Sequence, residues 1–164
     1  MKIEISIYNG EYDKACELIR TFWYEHNGYT QTLEETEEDF KIYTGKDHKF
    51  YFINCDNLSV GFVHLGSRGA EPDWLEEIFV LPEYQNRGIG AKAIKLTETE
   101  VKKYSQSLYI EAAAKNEKAI NLYRKLGYNC LNTITIRKDF DENLCENIGK
   151  ENIFGMDFDI RKSK

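Results

Sequence analysis

An apolar strand that passes through a polar arm into a glycine-flanked helix constrains this chain more than any other feature. The stretch is "VLPEYQNRGIGAKAIK", Val80 to Lys95. Its helix carries Ile89, Ala93, Leu96 and then Val101 near one stripe, so it has a face to bury. The first-turn N–H groups of a helix lack intrahelical partners, and the helix dipole is positive there. Gly88 and Gly90 let that backbone come close to a ligand with no Cβ in the way. The design suits a phosphate or pyrophosphate held by backbone N–H groups. The plain alternative is a helix start whose glycines only relieve a tight turn. A third reading is a dinucleotide fingerprint, because Gly88, Gly90 and Ala93 fit G-x-G-x-x-A and Glu111 follows at a strand end. Against it, "PEYQNR" separates the strand from the glycines, and the first 75 residues offer no βαβ unit. No Lys-Ser/Thr pair follows Gly90, so the usual P-loop is excluded.

At 164 residues the chain suits one domain, 1–164. Hydrophobic residues make up 41% and aromatics 13%, which supports a packed core. The net charge of −6 argues against nucleic acid and favours cationic small molecules. Cys16, Cys55, Cys130 and Cys145 form no CxxC, and no His pair has ligand spacing, so no metal site is expected. Scattered cysteines without an export signal point to a cytoplasmic protein. No apolar run approaches the ~20 residues of a membrane span.

Period-two alternation in "KIEISIY" predicts a strand, and "EYDKACELIRTFWYEHN" predicts an amphipathic helix. Thr32 and Glu35 are spaced as a capping box for the acidic helix "LEETEEDFKIY". "HKFYFINCD" and "LSVGFVHLG" read as strands joined at Asp56-Asn57. "WLEEIFVL" and "SLYIEAA" are further strands. Asn116 caps "EKAINLYRKLG", which Gly127 ends. "YNCLNTITIRK" and "NIFGMDFDIRK" complete the strands, with "DFDENLCENIG" as an acidic loop between them. The order β-α-α-β-β-β-α-β-α-β-β is α+β, or mixed α/β.

"IFVLPEYQNRGIGAKAI" resembles the acetyl-CoA-binding motif of the GNAT superfamily, the acyl-CoA N-acyltransferases. Gln85, Arg87, Gly88 and Gly90 fit its Q/R-x-x-G-x-G/A signature without a gap. "YIEAAAKNEKAINLYRKLGY" fits the family's downstream block, and the two together cover Trp74 to Tyr128. The resemblance implies a central, mostly antiparallel, splayed sheet of about seven strands flanked by about four helices. It implies acetyl-CoA as cosubstrate. The backbone of Ile78, Phe79 and Val80 would pair with the pantetheine chain, as an added strand would. The turn N–H groups from Gln85 through Asn86, Arg87, Gly88, Ile89 and Gly90 to Ala91 would hold the pyrophosphate. Asn116 matches a cofactor-contacting Asn, and Tyr123 the tyrosine placed near the thioester sulfur. By analogy a homodimer is plausible.

Acetyl transfer to an amine needs a neutral nucleophile, a stabilised oxyanion and a proton for the leaving thiolate. Val80 N–H is the best oxyanion donor, and Tyr123 the candidate acid; its plain alternative is a helix aromatic packed on a sheet. Glu76 and Glu111 are the candidate bases, in that order. Neighbours on a strand point to opposite faces, so at most one of Glu76 and Glu77 faces the acceptor. Glu76 shares parity with Ile78 and Val80. Its spacing from Arg87 is that of an acid in some aminoglycoside-acetylating members. Glu111 stands before Tyr123 at a spacing found in ribosomal-protein N-terminal acetylating members. Trp74, Glu76 and Glu77 would form an acidic, aromatic wall for a cation.

The variable regions "FWYEHNGYTQTLEETEEDF" and "DFDENLCENIG" are acidic, and the first is also aromatic. They read either as a pocket for an aminoglycoside- or polyamine-like amine or as solvated charged faces. His26 and His48 are left unassigned. A protein N-terminus or lysine is the alternative acceptor, and a non-catalytic acetyl-CoA-binding module the alternative class.

Overall fold

A computed structural model describes residues 1–164, in two compact units, Met1–Glu111 and Ala112–Lys164. In the first, β1 (Ile3–Ile7) leads to α1 (Tyr12–Asn27) and α2 (Leu33–Tyr43), then β2 (His48–Cys55), β3 (Leu58–Gly66), β4 (Trp74–Val80), α3 (Ile89–Val101) and β5 (Tyr109–Ile110). The second holds α4 (Glu117–Leu126), β6 (Cys145–Ile153) and β7 (Met156–Ser163). The first unit's sheet runs β1-β2-β3-β4-β5, antiparallel except for the parallel β4–β5 pair. The fold class is the expected α+β with four α-helices. The sheet has five strands rather than about seven, because β6 and β7 form a sheet of their own.

The capping box forms as read: Glu35 N donates to Thr32 Oγ1, and Thr32 N donates to Glu35. Helices α1 and α2 cover one face of the sheet, where Ala15, Leu18, Ile19, Tyr43, Phe50, Phe52, Phe62 and Phe79 form the core. Phe62 is its hub, with ring centroids of Phe22, Phe50, Phe79 and Tyr43 between 5.1 and 6.2 Å away. Burying such aromatics is worth roughly 1.5–3 kcal/mol each. The alternate residues Tyr51, Ile53, Val63 and Leu65 are buried on the opposite face. Lys49 points there as well, its Nζ 3.8 Å from the centre of the Tyr104 ring just after α3.

Three sequence expectations in the second half change. "YNCLNTITIRK" forms no strand. Much of the segment read as an acidic loop is β6, which pairs with β7 through a two-residue turn at Phe154-Gly155. Both turn residues have positive φ, 55° and 78°, the backbone of a primed hairpin turn. "SLYIEAA" contributes only Tyr109 and Ile110, paired with Trp74 and Leu75. From Glu76 to Val80, β4 therefore has no β5 partner.

The sheet carries two one-residue bulges. One lies in β3 at Val60, between the pairs Asn54↔Ser59 and Ile53↔Gly61. The other is in β4 at Glu76, between Leu75↔Leu65 and Glu77↔His64. Gly61 lets β3 and β4 approach closely, since a Cβ there would stand 2.0 Å from the Phe79 carbonyl oxygen. Gly61→Ala is expected to destabilise the protein by roughly 1–3 kcal/mol, the cost of over-packing. Its denaturant midpoint against that of the native chain is the check; an unchanged midpoint would contradict the close approach.

Candidate active site

The end of β4, the arm and the mouth of α3 form one continuous feature. Leu81 N–H donates to Val60 carbonyl on β3 at 2.8 Å. Amide direction alternates along a strand, so the Val80 N–H points away from β3, toward the edge that β5 leaves open. The Val80 carbonyl faces the same way and accepts from Gln85 Nε2 at 2.8 Å. Ile78 follows the same alternation. Phe79 does not: its backbone faces β3 and its ring is in the core, 6% exposed.

The arm braces itself. Arg87 Nη2 donates to the Glu83 carbonyl at 2.7 Å, and its guanidinium stands 5.5 Å from the Tyr84 ring centre. Asn86 and Gly88 have positive φ, 58° and 79°, and Gly88 is the N-cap of α3. No side chain caps this helix, and its first turn has no acidic residue. The first intrahelical bond runs from Lys92 N–H to the Gly88 carbonyl. The amides of Ile89, Gly90 and Ala91 are thus open donors at the positive end of a dipole. Gly90 has no positive φ, and a Cβ there would meet nothing within 4 Å. The fold does not require a glycine at 90.

The β4 bulge overturns the parity expected for the carboxylates. Glu77 pairs with His64, and Glu76 is the extra residue. A Cβ on Gly66 would collide with the Glu76 carboxyl, so that carboxyl lies across β3 on the face that carries His64. Glu77 reaches the same face, with Oε2 2.5 Å from His64 Nδ1. Both neighbours face one side, and Glu76 no longer shares the face of Ile78. The wall expected for an outside cation is taken by Arg68. Its guanidinium pairs with the Glu76 carboxylate through both terminal nitrogens and lies 4.7 Å from the Trp74 ring centre, while Trp74 stacks on Tyr109 at 4.9 Å. The Glu76 hydrogen bond raises the Arg68 pKa, with the charge of the exposed Glu111 adding in the same sense.

Asn116 and Tyr123 belong to the second unit. Asn116 caps α4, its Oδ1 accepting from Ala119 N–H at 3.2 Å. Tyr123 is half-buried, with its ring 6.1 Å from that of Tyr128. Burial raises its phenol above the ordinary value, so it stays protonated at neutral pH, as a proton donor must.

A cavity of about 190 Å³ opens between α1 and α2, lined by Trp23, Tyr29, Gln31, Glu35, Glu38 and Asp39. Asp39 accepts from Trp23 Nε1 at 2.7 Å and Gln31 Nε2 at 2.6 Å. Tyr29 donates to Glu35 at 2.6 Å, a bond that lowers the Glu35 pKa. His64, absent from the sequence-based candidates, joins His48 and Glu77 in a hydrogen-bonded row.

The pattern of the acetyltransferase (GNAT) family matches residues 12–128, more than half of the chain. The protein therefore belongs to the GNAT acetyltransferase family. It is 29% identical over 127 residues to the spermidine N(1)-acetyltransferase of Escherichia coli K12, a match covering 74% of this chain and 66% of that protein, just under two thirds. It is 40% identical over 55 residues to the thialysine N-epsilon-acetyltransferase of Mus musculus, a third of either chain. Its fold resembles that of an aminoglycoside acetyltransferase from an uncultured soil metagenome solved with sisomicin, with a TM-score of 0.65 at 17% identity, covering 85% of this chain and 97% of that one. It also resembles the ribosomal-protein-alanine N-acetyltransferase of Brucella melitensis, covering 84% and 100% at 14% identity. No helix is long and apolar enough to cross a membrane.

The two glycines separate by substitution. Gly88→Ala forces a side chain into left-handed backbone and is expected to cost about 1 kcal/mol of stability. Gly90→Ala should leave stability equal or raised by up to about 1 kcal/mol. Coenzyme A binding should be largely kept, since the motif takes either Gly or Ala at this position and a Cβ there meets nothing within 4 Å. Thermal melts with calorimetric titration test this; a Gly90→Ala chain less stable than the Gly88→Ala chain would contradict the reading of the two positions.

Proposed function

We propose that the protein transfers the acetyl group of acetyl-CoA to a primary amine of a cationic small molecule. The observation that carries this reading is the uncapped, acid-free start of α3 beside the open edge of β4. Backbone amides there suit a pyrophosphate, and the outward N–H groups of Ile78 and Val80 suit an extended amide-bearing arm. Val80 N–H then stabilises the oxyanion, and Tyr123 gives its proton to the leaving thiolate. We read the two units as one functional domain, because the family pattern runs from 12 to 128 across the division at Glu111.

The α1–α2 cavity supports the acceptor class. Aromatic rings with carboxylates attract an alkylammonium, and Phe22, beside Trp23 in sequence, meets Phe79 of β4 at 5.8 Å. At about 190 Å³ the cavity is smaller than the roughly 300 Å³ at which drug-sized ligand pockets begin. It fits one aminoalkyl arm, which favours a linear polyamine over an aminoglycoside ring. In this reading the remote ammonium sits in the cavity while the other amine reacts.

Thiol release from acetyl-CoA with a panel of amines tests the reading, with linear di- and triamines as the best acceptors. Binding of coenzyme A without thiol release on any amine, or equal rates with acidic and cationic acceptors, would contradict it. Tyr123→Phe should lower kcat roughly 10²-fold and leave coenzyme A affinity intact. Glu38→Gln should raise KM about two- to fivefold for a diamine but not for a monoamine, since an exposed charge pair is worth up to ~1 kcal/mol. An equal effect on both would remove the cavity from the acceptor site.

A further inference from the structure

The residues that line the α1–α2 cavity include three carboxylates, Glu35, Glu38 and Asp39, and no basic side chain. Their hydrogen bonds set them apart. Glu35 is committed to the fold on both oxygens. Its Oε1 accepts from the Tyr29 hydroxyl at 2.6 Å, and its Oε2 accepts from Thr32 N–H at 2.8 Å in the capping box. Glu38 is exposed. Asp39 is half-buried and uses one oxygen only. Its Oδ2 takes both Trp23 Nε1–H at 2.7 Å and Gln31 Nε2–H at 2.6 Å, while Oδ1 takes no hydrogen bond from the protein.

The orientation of Asp39 is built in. Gln31 is only 6% exposed, and the Thr36 hydroxyl donates to its Oε1 at 3.4 Å. That turns Nε2 toward the carboxylate, which only accepts. Neither donor to Asp39 carries a charge, so a half-buried carboxylate stands without a counter-cation, an arrangement that favours a cationic ligand. Two ring contacts link this spot to the end of β4. Trp23 lies 5.6 Å from Phe22, and Phe22 lies 5.8 Å from Phe79, the neighbour of Val80. An extended amine chain advances about 1.2 Å per bond, so a chain of about nine bonds covers such a distance.

We propose that Asp39 Oδ1 anchors the acceptor's remote ammonium, with Gln31 and Trp23 as positioning residues, and that this anchor limits the enzyme to one acetylation per diamine. This rests on the acetyltransfer reading above and names the group that selects its substrate. A diamine enters with one ammonium on Asp39 and the other at the thioester.

Acetyl transfer forms a C–N bond and breaks the C–S bond. Of the two protons the ammonium loses, the thiolate takes one and solvent the other. The reacted end is then a neutral amide. A product that turns round sets this amide against Asp39 and leaves the carboxylate unpaired. The second acetylation therefore lacks the anchor that speeds the first.

The test is thiol release with matched linear amines. Terminal diaminooctane is the long probe, and aminooctanol is its match with a single amine. In the native chain, diaminooctane should exceed aminooctanol in kcat/KM by at least about tenfold, the worth of one hydrogen bond to a charged group. N-acetyldiaminooctane, offered as a substrate, should react at least about tenfold more slowly than diaminooctane. Diaminopropane, too short to reach Asp39, should gain nothing over aminopropanol. In Asp39→Asn the carbonyl oxygen keeps the bonds from Trp23 and Gln31, and an amide nitrogen stands where Oδ1 was. The ratio of diaminooctane to aminooctanol should fall toward one through KM, with coenzyme A affinity intact by calorimetry. Trp23→Phe removes one donor and should lower the same ratio in part, again through KM. The native rates with the acetylated probe are a readout independent of whether a variant folds. Equal native rates with diaminooctane and its acetylated form, or the native ratio in Asp39→Asn, overturns the anchor alone. A native chain that acetylates no amine overturns the acetyltransfer reading, and this proposal with it.

Discussion

The register of β3 against its two neighbours sets the geometry of the site. Two extra residues, Val60 and Glu76, shift the ladders by one place each. Because side-chain direction has period two, each shift moves every residue beyond it to the opposite face relative to an unbulged strand. Together the shifts put His48, His64 and Glu77 on the same face and in line. They also turn Glu76 toward Gly66 and Arg68. Gly61 holds the shifted strands together, because only a residue without Cβ fits against the Phe79 carbonyl.

The same strand serves both ends of the chemistry. On one side of β4, ring packing through Phe79, Phe62 and Phe22 ties it to α1 and so to the acidic cavity. Along its free edge, the amides of Ile78 and Val80 lead into the arm, and the arm into the open amides of α3. Gln85 and Arg87 act as braces there, through the Val80 and Glu83 carbonyls. Their side chains fix the turn, and the first amides of α3 are left as open donors.

Much of this was legible in the sequence. Periodicity gave α1, α2 and α3, the Thr32–Glu35 spacing gave a real capping box, and the glycines marked the mouth of α3. Bulges are invisible to parity arguments, and the misplaced face of Glu76 follows from one of them. A plain two-residue turn at Asp56-Asn57 keeps the pairing Cys55↔Leu58 along the whole hairpin and would set Lys49 opposite His64, leaving His48 and His64 on different faces. An unbulged β4 would set Glu76, not Glu77, opposite His64. The late hairpin was missed for a different reason. Its turn is Phe-Gly, without the Asn or Asp that signals φ > 0, and the charges of β6 read as loop.

The central proposal is a pyrophosphate-bearing thioester along β4, with its anionic part on the first turn of α3. A crystal structure with coenzyme A bound measures this directly. Pyrophosphate oxygens are expected within hydrogen-bond distance of the Ile89, Gly90 and Ala91 amides, with a pantetheine amide paired to Ile78 or Val80. Coenzyme A held elsewhere, with those amides facing water, would contradict it.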